Sequence, residues 1–264
     1  EGIMRYPGVW LSVVALIAVL PAAFGDGEPS GLLQVLPEGK VDWGSARFFV
    51  LGEGQPKPDA KGIQRQLTAR NAAHDNALAG LQKAVAALAP EGAAQDPAER
   101  QERLRSIFQS SPAFTRDDDE AGALGYQGLG WDAGAGRYRL LVAVPLFGSR
   151  GIAAALSSLP LPPAPAPPPA EAERALPDGA FTGLIVDCAD LAVKPSLSPA
   201  ILEEGAQQSV YGRASASAEM AARLGLVRYY PSVDAARQAA GRVGANPLVV
   251  RASSAAGAAA RISG

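Results

Sequence analysis

The sequence predicts an α+β fold in two domains: an antiparallel sheet packed by helices, a proline-rich linker and a second, smaller α+β domain. Two observations support this prediction. The first half alternates β-prone runs and helical patterns in the order strand, strand, helix, helix, strand, strand, which places the helices on one face of an antiparallel sheet. Further along, seven of the ten residues from Pro160 to Pro169 are proline, and such a segment forms a semi-rigid spacer of about 3.1 Å per residue.

The linker sets the domain boundaries. We expect an N-terminal domain at residues 40–158, a linker at residues 159–175 and a C-terminal domain at residues 176–264. A polyproline segment cannot bury its backbone and carries no side chains that build a core. Few contacts should therefore cross the boundary, and the two domains should fold independently.

The first domain begins with a predicted hairpin. Residues 26–39 are rich in Gly, Pro and Glu and are expected to form a mobile lead-in. Val41 and Trp43 then precede the turn-forming pair Gly44-Ser45, and the run Arg47–Leu51 is β-prone.

Two helices follow the hairpin. Residues 62–88 carry side chains at spacings of three, four or seven, which predicts one buried stripe. The members of this stripe are Ile63, Leu67, His74, Leu78, Leu81, Val85 and Leu88. The second helix begins at Asp96-Pro97-Ala98-Glu99, which combines an N-cap acid, a proline in the first turn and a capping glutamate. Residues 117–120 are then expected to form a charged loop.

The remaining elements are shorter. Residues 122–132 and 137–146 are predicted strands around a turn at residues 133–136. Beyond the linker, strands are predicted at residues 181–186, 224–230 and 247–251. A short helix is predicted at residues 232–242, where Ser232 is its N-cap.

The N-terminus is typical of a secretory signal peptide. Met4-Arg5 is followed by an apolar run from Val9 to Leu20 and by the small residues Ala23 and Gly25. We expect residues 1–25 to be a signal peptide cleaved before Asp26, and an uncleaved anchor is the alternative. A lipoprotein signal requires cysteine at the first mature position, and the single cysteine is Cys188.

Composition narrows the class of partner. A net charge of -2 gives no electrostatic reason to expect nucleic acid, and it makes membrane association at most indirect. One cysteine cannot form an internal disulfide. The expected partners are envelope proteins, including a second copy of this chain.

The residue types that could carry chemistry are few. His74 is the single histidine and lies on the predicted apolar stripe, which favours a packing role over catalysis. Cys188 has Asp187 and Asp190 nearby, and carboxylates raise the pKa of a thiol. An intermolecular disulfide at Cys188 is a weaker alternative. The acidic residues 117–120 lack the ligand spacing of a calcium loop. We therefore predict no catalytic residue, no cofactor and no metal site.

Glycines next to predicted strands do not indicate a nucleotide site. Gly52-Glu53-Gly54 follows a strand, but no third glycine stands at the required place. Pro56 and Pro58 occupy the positions where a phosphate-binding helix would begin.

Several segments resemble the twenty-kilodalton lipoprotein family (LPP-twenty) and its flagellar accessory relatives of the FlgP and FlgT type. In this sequence they are residues 41–43, 52–54, 69–77, 182–187, 194–199, 210–212 and 246–251. The resemblance implies an envelope location, an α+β module and a role in outer-membrane-associated or flagellar structures. The residues of the second domain predicted to contact a partner are Asp187, Lys194, Pro195, Pro199 and Tyr211.

The predicted function is therefore a non-catalytic exported envelope protein, an assembly or scaffold component of the periplasm or outer membrane. A periplasmic small-ligand or peptidoglycan-binding module is the first alternative. An exported hydrolase that uses acidic residues is the second.

Overall fold

The computed structural model describes residues 32–88, 96–156, 181–205 and 209–263. These residues form two sheets with helices packed against them, which confirms the predicted two-domain α+β fold. The predicted signal peptide and the predicted linker at residues 159–175 lie outside the described residues.

The N-terminal sheet is antiparallel, in the order β1-β2-β3-β6-β4, and β5 also pairs with β6. Its strands are β1 (Leu33–Leu36), β2 (Gly39–Asp42), β3 (Arg47–Gly54), β4 (Ala113–Phe114), β5 (Gly130–Asp132) and β6 (Arg137–Pro145). The predicted β2–β3 hairpin is confirmed. The predicted lead-in is corrected, because β1 pairs with β2 from Leu33 to Leu36.

The long helix α1 (Ile63–Leu88) covers one face of this sheet. It approaches β3 closely, because a Cβ atom on Gly52 would lie 2.0 Å from the carbonyl oxygen of Ala73, and one on Gly54 would lie 2.1 Å from that of Ala69. The first half of the predicted stripe is therefore wrong. The alanines face the sheet, whereas Ile63 and Leu67 are 83% and 56% exposed.

The other N-terminal helices are α2 (Pro97–Gln109), α3 (Asp119–Ala123) and α4 (Ile152–Ala155). Asp96 caps α2 as predicted, by accepting a hydrogen bond from the Ala98 amide at 2.9 Å. The predicted charged loop at residues 117–120 is corrected, because Asp118 caps α3 through the Ala121 amide at 2.7 Å. α3 and the segment after it also replace most of the strand predicted at residues 122–132.

The C-terminal sheet is mixed, in the order β7-β10-β11-β8-β9, and its β7–β10 and β8–β11 pairs are parallel. The strands are β7 (Gly183–Asp187), β8 (Ala200–Glu203), β9 (Ser209–Tyr211), β10 (Pro247–Ala256) and β11 (Ala259–Ile262). The helices are α5 (Ala218–Leu224), α6 (Val233–Gln238) and α7 (Ala240–Val243).

Predictions for this second sheet are only partly confirmed. β7 and β10 lie where strands were predicted, and Ser232 caps α6 through the Ala235 amide at 3.1 Å. The strand predicted at residues 224–230 is wrong, because α5 extends to Leu224 and Gly225 then turns the chain with a φ of +77°.

One apolar core joins the two sheets. It contains Trp43, Phe48 and Leu146 of the first domain together with Val186, Ile201 and Tyr229 of the second. The expectation that few contacts cross the boundary is therefore wrong. Independent folding of the two domains stays a prediction.

Candidate functional site at the domain junction

The contact between Trp43 and Tyr229 lies at the centre of the junction. Both side chains are buried, and their rings meet edge to face with centroids 5.4 Å apart. The hydroxyl of Tyr229 accepts a hydrogen bond from the Ser196 amide at 2.9 Å and donates one to the Ser196 carbonyl at 3.1 Å. Burial raises the pKa of Tyr229 above its ordinary value, so this phenol stays protonated at physiological pH. Tyr229 thereby fixes the loop at residues 194–199.

A second contact forms around Phe147. The Gly148 amide donates to the Ala222 carbonyl at 3.0 Å, which ties the end of the first domain to α5. Gly225 lies directly against the ring of Phe147, because a Cβ atom at Gly225 would lie 2.7 Å from it. Gly225 also has a positive φ. A residue with a side chain would be strained in this conformation and would clash with the ring.

Two arginines converge on this contact. The guanidinium carbon of Arg228 lies 4.8 Å from the centroid of the Phe147 ring, in a cation–π arrangement. Nη2 of Arg242 donates to the Gly225 carbonyl at 2.7 Å. Nε of Arg242 is buried and has no hydrogen-bond partner among the described residues. Arg242 therefore bonds the glycine that packs against the same ring over which Arg228 lies.

The electrostatics of the two arginines agree with this geometry. Burial lowers the pKa of both guanidinium groups, and the charge of Arg228 lowers that of Arg242 further. Tyr230 interacts with both arginines, and Tyr211 interacts with Arg242. Neither arginine forms an ion pair with a carboxylate in the described part of the chain, unlike the partly buried Arg139, whose Nε lies 2.8 Å from Glu53.

The five residues predicted to contact a partner are separated in the structure. Asp187 is half-buried at the end of β7 and accepts from the Ala189 amide at 3.0 Å. Lys194 is exposed, Pro195 is half-buried and Pro199 is buried. The Tyr211 hydroxyl donates to the Leu226 carbonyl at 2.9 Å, and burial raises its pKa. Lys194, Pro195 and Pro199 share the loop held by Tyr229.

The single histidine and the single cysteine both serve as packing residues. The half-buried ring of His74 meets Phe108 edge to face, with centroids 4.7 Å apart. Cys188 is buried in the shared core. Burial, helped by Asp187, raises the pKa of its thiol to about 11. The predicted direction of this shift is confirmed, although burial and not the neighbouring carboxylate is its larger cause.

The described residues contain neither a metal-binding cluster nor a membrane-spanning helix. No group of three or more histidine, cysteine or acidic side chains there could hold a metal ion. No helix among those residues combines the length and apolar character that crossing a bilayer needs.

The arginine pair and the Trp43–Tyr229 contact were not predicted from the sequence. Arg228 and Tyr229 lie in the segment predicted as a strand at residues 224–230, whereas Arg242 ends the helix predicted at residues 232–242. One signal was present, because Arg223-Leu224-Gly225 is typical of a helix end, with a basic last turn and a glycine after it. Nothing local predicts which tyrosine meets Trp43.

Comparison with known proteins gives one finding. The protein-family model for the second domain of Treponema pallidum Tp0624 matches residues 183–262. The matched range begins at the first residue of β7 and ends at the last residue of β11, so it spans the C-terminal sheet and less than half of the chain. No curated protein and no solved structure matches this chain.

Proposed function

We propose that this protein is an exported, non-catalytic component of the bacterial cell envelope that acts as an assembly or scaffold protein. The signal-like N-terminus supports export to the periplasm or outer membrane. The resemblance to twenty-kilodalton lipoproteins and flagellar accessory proteins supports an envelope role and makes a flagellar structure one setting for it.

The observation that carries the proposal is an exposed valine on a terminal strand of each sheet. β1 ends the N-terminal sheet and β9 ends the C-terminal one. On these strands Val35 is 70% exposed and Val210 is 56% exposed. An edge strand offers free backbone donors and acceptors to a strand of a partner, and an outward apolar side chain adds burial when that strand docks.

The placement of the reactive residue types also supports binding over chemistry. His74 packs against Phe108, and Cys188 is a buried thiol whose raised pKa disfavours the nucleophilic thiolate. A nucleophile that is neither ionised nor exposed gives no advantage to a hydrolase.

Photo-crosslinking in living cells tests the proposal. A photoreactive amino acid at position 35 or 210 is expected to give adducts with a defined envelope protein or with a second copy of this chain. The same group at Asp75 is the matched control, because Asp75 is exposed on α1, which packs mainly on the inner strands β3 and β6. Adducts should disappear when a lysine replaces a residue next to the photoreactive position on the same edge strand, because a charge there blocks strand addition.

Two results would contradict the proposal. One is recovery of the protein from the cytoplasmic fraction with Met4 still present. The other is equal crosslinking from position 75 and from the two edge positions, since random collision would explain that pattern.

A small-ligand or peptidoglycan-binding module is the second candidate function. It is favoured by one observation, the convergence of Arg228 and Arg242 at the junction without a carboxylate among the described residues.

A further inference from the structure

The arginine pair costs free energy in the folded protein. Partly burying a guanidinium removes water from a charge, and nearby carboxylates normally offset that cost. Here the second charged group is another arginine, so repulsion adds to desolvation. Exposed arginines such as Arg237 of α6 avoid this cost by remaining in water. Two arginines at a domain boundary, with no carboxylate paired to them among the described residues, are suited to hold an anion.

The donors that remain free define the ligand. The guanidinium carbon of Arg228 lies over the Phe147 ring, and Arg228 forms no hydrogen bond or ion pair among the described residues, so its N–H groups remain available for a ligand. Arg242 engages Nη2 with Gly225 and retains its other N–H groups. The Tyr230 hydroxyl has no hydrogen bond among the described residues and interacts with both arginines. Tyr211 already donates its proton to Leu226.

We propose that Arg228, Arg242 and Tyr230 bind a phosphate monoester at the domain junction. Two positive charges match a dianion better than a singly charged carboxylate does, and the forked guanidinium donors suit the oxygens of a phosphate. This inference rests on the second candidate function and deepens it by naming the ligand chemistry. The phosphate group belongs either to a soluble molecule or to a lipid headgroup.

The test is calorimetric titration of the full chain at fixed ionic strength in three arms. The probes are inorganic phosphate, glucose 1-phosphate, and vesicles of one part phosphatidic acid to four parts phosphatidylcholine. Acetate is the control for a singly charged anion. Saturable binding is expected in at least one arm, tighter than binding of acetate, and the tightest arm identifies the source of the phosphate.

Variants assign the binding to the site. Arg228→Gln and Arg242→Gln are each expected to weaken binding about tenfold or more, because each removes a charged donor. Tyr230→Phe is expected to weaken it less. Arg237→Gln removes an equal charge from an exposed helix position of the same domain and should change the affinity less than about twofold.

A measurement on the unmodified chain tests the inference even if the variants fail to fold. Phosphate should shift the NMR signal of the Arg242 Nε–H group, while the Arg237 signal stays in place. Absence of binding in all three arms, binding no tighter than that of acetate, or equal affinity of the folded arginine variants would overturn the inference. These results leave edge-strand crosslinking at Val35 and Val210 unaffected, so the two proposals fail separately.

Discussion

The two sheets differ in where they find their apolar contacts. The N-terminal sheet is covered on both faces, by α1 over Phe48 and Val142 and by a separate cluster that includes Phe49 and Leu141. Within the described part of the chain, the C-terminal sheet has a cluster of three buried residues of its own, Ile185, Ala236 and Val243. Its other face completes the core that begins in the first domain.

This difference implies that the second domain depends on the junction more than the first domain does. Most buried side chains of the first domain pack against one another, whereas the core of the second domain is completed by side chains of the first. Since burial of apolar surface is the main source of stability, loss of the junction should affect the second domain more. The following predictions test that asymmetry.

The largest effect is expected from Trp43→Ala. Truncating a buried tryptophan costs about 3–5 kcal/mol, and here it removes the aromatic partner of Tyr229. Hydrogen exchange should accelerate in the C-terminal domain, beginning with the Ser196 amide. Phe49→Ala is the matched control, because it empties a site on the opposite face of the same sheet. If both variants accelerate exchange equally at Ser196, the junction is not what stabilises the second domain.

Gly54→Ala should be next in magnitude. The added methyl would lie 2.1 Å from the Ala69 carbonyl oxygen, so α1 must move away from β3. Overpacking of this kind costs about 3 kcal/mol. Denaturant unfolding measures the loss. Gly122→Ala, which adds a methyl in open space on α3, should be neutral or slightly stabilising. Equal stability of the two variants would show that α1 does not contact β3 this closely.

Tyr229→Phe tests the hydrogen bonds at the junction separately from the ring contact. It keeps the ring against Trp43 but leaves the amide and carbonyl of Ser196 without their partner. A loss of about 1–2 kcal/mol is expected. Tyr126→Phe removes the hydroxyl of a buried tyrosine of the first domain that forms no hydrogen bond among the described residues and whose ring contacts Lys40. Its effect should stay below about 0.5 kcal/mol. Equal losses would contradict a bracing role for Tyr229.

The smallest effect concerns Cys188 at alkaline pH. Its folded pKa of about 11 lies above the ordinary value of 9.0. The unfolded chain therefore loses its proton first, and this contribution to stability is lost as pH rises from 9 to about 11. Cys188→Ala should flatten that part of the stability curve, while leaving neutral-pH stability within about 1 kcal/mol. An unchanged curve, or rapid thiol labelling of the folded chain at neutral pH, would show that Cys188 is not buried as described.

Local chemistry was sufficient to predict some elements and not others. Asp96 and Ser232 correctly predicted where two helices begin, because N-capping depends on neighbouring residues alone. The predicted buried face of α1 was wrong because Gly52 and Gly54 allow the helix to lie close to β3. At that distance Ala69 and Ala73 face the sheet, and Ile63 is exposed. That choice depends on a strand distant in sequence.

The candidate site could not be predicted for a similar reason. Arg228 and Arg242 meet only after Gly225 packs on Phe147, a residue of the other domain. The short strands β8 and β11 were missed because they contain alanine and few β-branched residues.

The Trp43–Tyr229 contact also sets the order of events during folding. Its two residues come from near opposite ends of the described chain, so the contact closes late, after a long loop has been ordered. A chain is made from its N-terminus onward, so the first sheet can collapse before Tyr229 has been added, and its side of Trp43 then stays exposed. Apolar surface exposed at that stage favours aggregation of the incomplete chain.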